Sequence, residues 1–281
     1  MWMAGAMLLR RDDYEGGTTR DEAAGQIPSA AREVYEMMCV TEGSAEYWVE
    51  DQHYKLAAGD VLLIPVGAMV GATLKARGCP FERHGLWMSR RYMTFLRLQD
   101  EEADYCFAKA EAEHRYLLRL PPDVFEGIRL AFETLAEECQ NDRFNAELST
   151  KAILAALCVQ LNRLIQGQGD DVFLAGDGNR LAPVLSHIHQ NCTAPISVEG
   201  LAERFNYSPS HLAHSFKKQM GTSLYHYVLL RRLQIGREAM LQGVPVKEAY
   251  QKCGFGDYAG FYRAFVKEFG LSPQQYKKKN Q

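Results

Sequence analysis

The sequence predicts an α+β protein in two parts, a small antiparallel β barrel accompanied by helices and then an all-α region made of two similar helix, turn, helix units. Three observations predict it. Short apolar runs separated by turn signals occupy residues 33–65, and the hydrophobic spacing changes to helical period over 123–165. The charge then reverses: from Gly178 onward there are fourteen Lys or Arg against six Asp or Glu, a balance of +8. The residues before it carry −11, although the 281-residue chain as a whole is only −3.

The strand elements come first. Val34–Val40 is an apolar-rich run closed by the turn signal Glu42-Gly43. Tyr47–Val49 and His53–Leu56 follow on either side of a break at Asp51-Gln52. Gly59-Asp60 leads into the continuous apolar run Val61–Ile64, which Pro65 stops, and a further strand includes Leu86–Met88. Short strands at this spacing suggest a small antiparallel barrel or sandwich. Next, Val124, Ile128, Phe132 and Leu135 recur at helical intervals, as do Ile153, Leu157, Leu161 and Leu164. Such helices could complete the barrel core or pair with their copies in a dimer, and a homodimer is expected. Gln166–Asp171 and Gly176–Asn179 are rich in Gly, Gln and Asp, so 166–179 reads as a flexible linker.

In the last hundred residues each boundary has a local cause. Ser197 can cap a helix that buries Leu201, Ala202 and Phe205, and Asn206-Tyr207 makes the turn. Ser208 is a second N-cap followed by Pro209 at the first helical position, where its missing N–H costs nothing. Leu212, Phe216 and Met220 point inward before Gly221 stops that helix. The pattern recurs. A long helix over about 224–241 leads to Gly243, then Val246–Cys253 forms a short helix closed by Gly254-Phe255. Asp257 caps the next, with Phe261, Phe265 and Phe269 inward, before Gly270 and a last helix begun by Ser272-Pro273 and holding Tyr276. Two short helices joined by a tight turn form a helix-turn-helix, a nucleic-acid reading motif.

On these residues the chain resembles the AraC/XylS family of regulators. The resemblance rests on the stretch of Ser208–Leu233 and on Gly254–Tyr276, with Gly254-Phe255, Phe261 with Arg263, and Gly270 with Ser272-Pro273 in the family's order. It implies a transcription regulator whose two recognition helices enter successive major grooves of duplex DNA. Carried over position by position, the outward residues are Ser210, His211, Ala213 and His214 in the first helix and Tyr258, Ala259, Tyr262 and Arg263 in the second. Arginine can donate two hydrogen bonds to guanine, which singles out Arg263. Lys217, Lys218 and Lys267 are expected on phosphates. Three positions depart from the family's pattern: Tyr250 stands where the second unit usually has alanine, Gly260 lies inside the second recognition helix at a cost of about 1 kcal/mol relative to alanine, and Val266 replaces a basic residue.

The stretch beginning at Arg32 is similar to the cupin-type effector domain of the same family, most clearly at Gly59-Asp60 and the strand that follows. The resemblance therefore implies a cupin-like β barrel with helices (1–165) for effector binding and dimerisation, a linker (166–179) and an all-α double helix-turn-helix domain (180–281). A metal-binding cupin needs clustered histidines, and only His53 and His84 are near, with Val70 where a histidine often sits. No metal, cofactor or catalytic residue is expected; the resemblance aligns His84 with an inward polar position of sugar-responsive members, and the barrel should take a small organic effector with His84 among its contacts. A front domain used only for dimerisation or protein contacts, and a cupin-like enzyme with a DNA-binding tail, are the competing readings. The seven cysteines include no CxxC pair, which favours a reducing cytoplasm. Met1–Leu9 is too short for a signal peptide, and no apolar run approaches the ~20 residues of a membrane span. RNA polymerase is a further expected partner.

Overall fold

The computed structural model describes residues 13–74, 80–141, 143–177 and 181–280; Met1–Leu9, Cys79, Gly178 and Asn179 lie outside the described residues. The chain divides into two units, one built mainly of Arg32–Gly178 together with Leu8–Ile27, the other mainly of Asn179–Gln281.

The first unit is a two-sheet barrel. Strands β1 (Tyr14–Asp21), β8 (Phe81–Met88), β3 (Tyr35–Glu42), β6 (Asp60–Ile64), β9 (Leu117–Arg119) and β10 (Phe173–Leu174) form one sheet in that order. Strands β2 (Gly25–Ala31), β7 (Met69–Leu74), β4 (Ser44–Val49) and β5 (Gln52–Ala57) form the other. The runs read as strands in the sequence appear as β3, β4, β5, β6 and β8, while β1, β2, β7, β9 and β10 are additional. β3 lies between β6 and β8, antiparallel to both, and every residue of β6 is buried. A strand with both faces covered reads as a continuous apolar run, and β6 does so.

Four helices cover the six-stranded sheet or extend its core: α1 (Arg90–Gln99), α2 (Tyr105–Glu113), α3 (Pro122–Gln140) and α4 (Ala146–Gln168). The spacing seen in the sequence is used as expected, with Ile128, Phe132 and Leu135 of α3 and Leu157 and Leu161 of α4 in the same core as the strands. Each such side chain contributes about 1.5–3 kcal/mol of burial. α4 is long and apolar enough by length and composition to cross a bilayer, yet it supplies Leu154, Leu157, Leu161 and Ile165 to this core.

The linker expectation is corrected for residues 166–177. Gln166–Gln168 finish α4, Gly169–Val172 form a 3-10 turn, and β10 pairs with β9 through Phe173 opposite Leu118. Val172 and Phe173 are buried, so two apolar residues anchor a segment whose Gly and Asp content suggested coil. Asp177 is tied to β5 through its N–H on the His53 carbonyl (2.7 Å) and its carboxylate on Lys55 (2.8 Å).

The second unit is all helical: α5 (Ala182–Asn191), α6 (Val198–Arg204), α7 (Pro209–Met220), α8 (Leu224–Leu241), α9 (Val246–Lys252), α10 (Tyr258–Phe269) and α11 (Pro273–Asn280). The caps fall where the sequence puts them. Ser197, Ser208 and Asp257 each accept a hydrogen bond from the first-turn N–H three residues on, and Gly221 and Gly270 end α7 and α10 in the left-handed conformation. α5 has no side-chain cap, its N-cap being Leu181, so no Ser, Thr, Asp or Asn at that position announces it in the sequence.

Candidate nucleic-acid interface and barrel interior

α8 holds the two helix-turn-helix units on one frame. Its first half buries Tyr227, whose ring meets Phe216 of α7 edge-on at 5.4 Å, and whose hydroxyl is 2.9 Å from His189 Nε2. Its second half buries Leu233 and Met240 in one cluster with Ala249, Phe261, Phe265 and Tyr276. Two further contacts lock the units together. Arg232 of α8 donates to the carbonyls of Cys192 (2.6 Å) and Ala194 (2.8 Å), just beyond α5. Gly254, in the turn between α9 and α10, lies directly against the backbone of Thr193 in that same stretch.

On this frame α7 buries Leu212, Phe216 and Met220 and exposes Ser210, His211, Ala213, His214, Lys217 and Lys218. α10 buries Phe261 and Phe265 and exposes Tyr258, Ala259, Tyr262, Arg263 and Lys267. All eleven residues expected on DNA are thus on the surface, on one arc of each helix. His211 is positioned by its N–H on Ser208 Oγ (3.3 Å) and by stacking on Tyr207, with ring centres 5.7 Å apart. Lys277 does not join this face: its ammonium caps the carbonyls of Gly243 and Val244.

Two of the three departures from the family's pattern, Tyr250 and Gly260, acquire physical reasons, and nothing in the structure explains Val266. Phe255 N–H bonds the Tyr250 carbonyl as Tyr207 N–H bonds that of Ala202, so Tyr250 does occupy the alanine's place. Ala249 of α9 and Cys253 at its C-terminal cap supply the buried contacts, and the Tyr250 ring turns to the flank, edge-on to Tyr258 at 5.9 Å. A Cβ at Gly260 would sit 3.2 Å from Asp257 Oδ2, crowding the carboxylate that caps the helix through the Gly260 N–H.

In the barrel, pairing register decides which side chains face inward. Tyr47 of β4 meets Phe81 of β8 across the two sheets at 6.2 Å. Phe81, Arg83, Gly85 and Trp87 therefore form the inward row of β8, and Glu36, opposite Trp87, is inward on β3. Arg83 is 1% exposed, hydrogen-bonds Asp21, and its guanidinium lies 5.0 Å over the Phe81 ring. Glu36 pairs with Arg32 at 3.1 Å. Burial pushes the Tyr47 hydroxyl up to about 12, against the opposing pull of Arg83. Among the described residues, no group of three or more His, Cys, Asp or Glu side chains is arranged to hold a metal ion.

The inward assignment of His84 is corrected. It alternates with Arg83 and faces α3, with Nδ1 2.8 Å from Thr18 Oγ1 on neighbouring β1 and Nε2 3.7 Å from Glu133 of α3. A strand has period two, so a one-residue error in register moves a side chain to the opposite face. The inward polar residue of this strand is its neighbour Arg83, which no motif in the sequence marks. Burial holds His84 below its ordinary 6.5 despite Glu133. The unfolded chain then binds the proton more readily, so this contribution to stability is full above pH 6.5 and is lost as pH falls through and below it. Urea midpoints followed by tryptophan fluorescence should drop below pH 6.5, and His84→Gln should flatten that dependence; an unchanged pH profile in the variant would contradict it.

Comparison with known proteins completes the picture. The AraC-like ligand binding domain family matches residues 24–157, and the helix-turn-helix domain family matches residues 201–279. The chain is a member of the AraC/XylS family. The regulator is 30% identical to the multiple antibiotic resistance protein MarA of Escherichia coli over 105 residues, 37% of this chain and 83% of that protein. It is 23% identical to the transcriptional activator RhaR of Pectobacterium atrosepticum over 253 residues, 87% of this chain and 84% of that one. ToxT of Vibrio cholerae, a solved structure, aligns with 95% of this chain and 98% of its own at 11% identity and a TM-score of 0.39. The regulator thus combines an effector-binding domain with a helix-turn-helix DNA-binding domain and acts in transcription.

Proposed function

We propose that the regulator lays α7 and α10 in successive stretches of major groove on one face of a duplex. The observation that carries this is that two helices of the same build each keep one arc out of the core, in the part of the chain that holds the excess positive charge. Ser210, His211, Ala213, His214, Tyr258, Ala259, Tyr262 and Arg263 are assigned to base edges, and Lys217, Lys218 and Lys267 to phosphates. A duplex selected from a random pool, titrated as single-base variants, tests the assignment. Arg263→Ala should cost about 1–3 kcal/mol and erase discrimination at one base pair, whereas Lys217→Ala should weaken every sequence alike. Equal losses on all variants for Arg263→Ala would make it a phosphate contact.

The effector is a small organic molecule held by the inward polar set of Glu36, Tyr47 and Arg83 beside Trp87. The regulator works by binding without turnover, takes no metal or cofactor, and acts in the cytoplasm where its DNA lies. It does so as a homodimer through α3 and α4. In favour of this surface, Leu130, Leu148 and Val159 are exposed, and only 33% of the most apolar stretch of α4 is buried. Sedimentation at micromolar concentration should give a dimer, and Leu148→Glu with Val159→Glu a monomer of unchanged helical content. A monomeric wild type would remove the dimer from this reading.

A further inference from the structure

The two recognition helices share a frame and differ in the chemistry of the arc they expose. A constant offset of 49 residues carries Leu212 onto Phe261, Phe216 onto Phe265 and Gly221 onto Gly270. At that offset Tyr258 and Tyr262 stand where α7 has Pro209 and Ala213, Val266 stands for Lys217, and Arg263 for His214. Where α7 presents hydroxyl, imidazole and ammonium groups, α10 presents two tyrosines 40% and 41% exposed, with exposed Ala259 beside them.

These rings are held before any partner arrives. Tyr258 and Tyr262 are 6.1 Å apart at 53°, Tyr250 meets Tyr258 edge-on, and Tyr258 leans on buried Phe261 at 6.4 Å. A ring already packed loses little freedom on binding. Arg263 and Lys267 lie on the same exposed arc, which favours a polyanion over an apolar protein surface. Two rings and a methyl group offer no paired donors and acceptors for a purine edge. Their complement in the major groove is the C5-methyl group of thymine, and the tyrosine hydroxyls at the rim can reach phosphate.

We infer that α10 reads its share of the operator through thymine methyl groups packed on Tyr258, Ala259 and Tyr262, with Arg263 as its guanine reader, while α7 reads by hydrogen bonds. This rests on the reading above that α10 lies in the major groove. The test uses the full chain and a duplex selected from a random pool, in which each thymine is replaced singly by deoxyuracil, removing the methyl group alone. Thymines clustered in one part of the site should each lose about fourfold in affinity, the effect of one buried carbon group. Tyr262→Ala should bind the selected duplex more weakly and become indifferent to uracil at its position, and Tyr262→Phe should keep the dependence. Wild-type affinity unchanged by uracil at every position would overturn the inference alone, as would methyl dependence that survives in both Tyr258→Ala and Tyr262→Ala. Failure to select any duplex would overturn it together with the reading it rests on.

Discussion

Gly254→Ala is expected to abolish DNA binding while leaving the barrel unit folded. Gly254 has φ +83°, a conformation that a side chain disfavours, and a Cβ there would lie 2.3 Å from the Thr193 carbonyl oxygen and 2.8 Å from the Thr193 Cα. The obstacle is backbone, which cannot swing aside as a side chain would. Backbone strain of about 1–3 kcal/mol and overpacking of a similar size together give roughly 2–6 kcal/mol. That is a large part of the stability of a domain of this size. It also falls where the α9–α10 turn meets the stretch gripped by Arg232, so relief by movement would shift α10 relative to α7. The distribution of tryptophan makes the effect readable. Trp48 and Trp87 lie in β4 and β8 of the barrel, so their fluorescence follows it, while far-UV circular dichroism also registers the helices of the second unit. An early loss of helical signal with an unmoved fluorescence midpoint is the expected result. Gly270→Ala is the control, since φ there is +68° with nothing within 4 Å of the added Cβ, and it should cost only about 1–2 kcal/mol. Equal costs at the two glycines would show that the Thr193 contact does not hold the two helix-turn-helix units together.

The helical unit was legible in the sequence because its signals are local. Ser208 with Pro209, Asp257, and Gly221 and Gly270 each fix a helix end through a cap a few residues away, and the heights of Leu212, Phe216, Phe261 and Phe265 follow from period 3.6. The Arg232 and Gly254 contacts were not legible, because their partners Cys192–Ala194 lie about 40–60 residues earlier in sequence and on no periodic pattern. In the barrel, β3 to β6 announced themselves by apolar runs. β1 did not, since Glu15, Gly16, Gly17 and Thr18 look like a loop; its pairing with β8 comes from tertiary context, with Gly16 open to the approach of Leu135 from α3. His84 was singled out by its alignment with an inward polar position of the family, and the choice between His84 and Arg83 depends on register with β1 and β3, which no single strand contains.

That choice can be decided at Arg83, where the other large effect is expected. Arg83→Met should lower the stability of the barrel by about 3 kcal/mol, the lower end of what removing one member of a buried ion pair costs. The lower end applies because Asp21 is 25% exposed and can recover some hydration once its partner is gone. The packing of the side chain on Phe81 is partly kept by methionine, so the loss isolates the charge and its hydrogen bonds. Asp21→Asn in the same chain should return part of the loss, since it removes the charge left behind. A urea melt read by Trp48 and Trp87 measures both. The effector assignment makes a second demand on the same variant. A small organic metabolite that raises the fluorescence-detected melting temperature of the wild type does so by binding the folded barrel, and that rise should vanish in Arg83→Met. It should persist in His84→Gln, whose side chain faces α3. Persistence in Arg83→Met with loss in His84→Gln would return the effector to the helix-facing side of the sheet and sink the inward site.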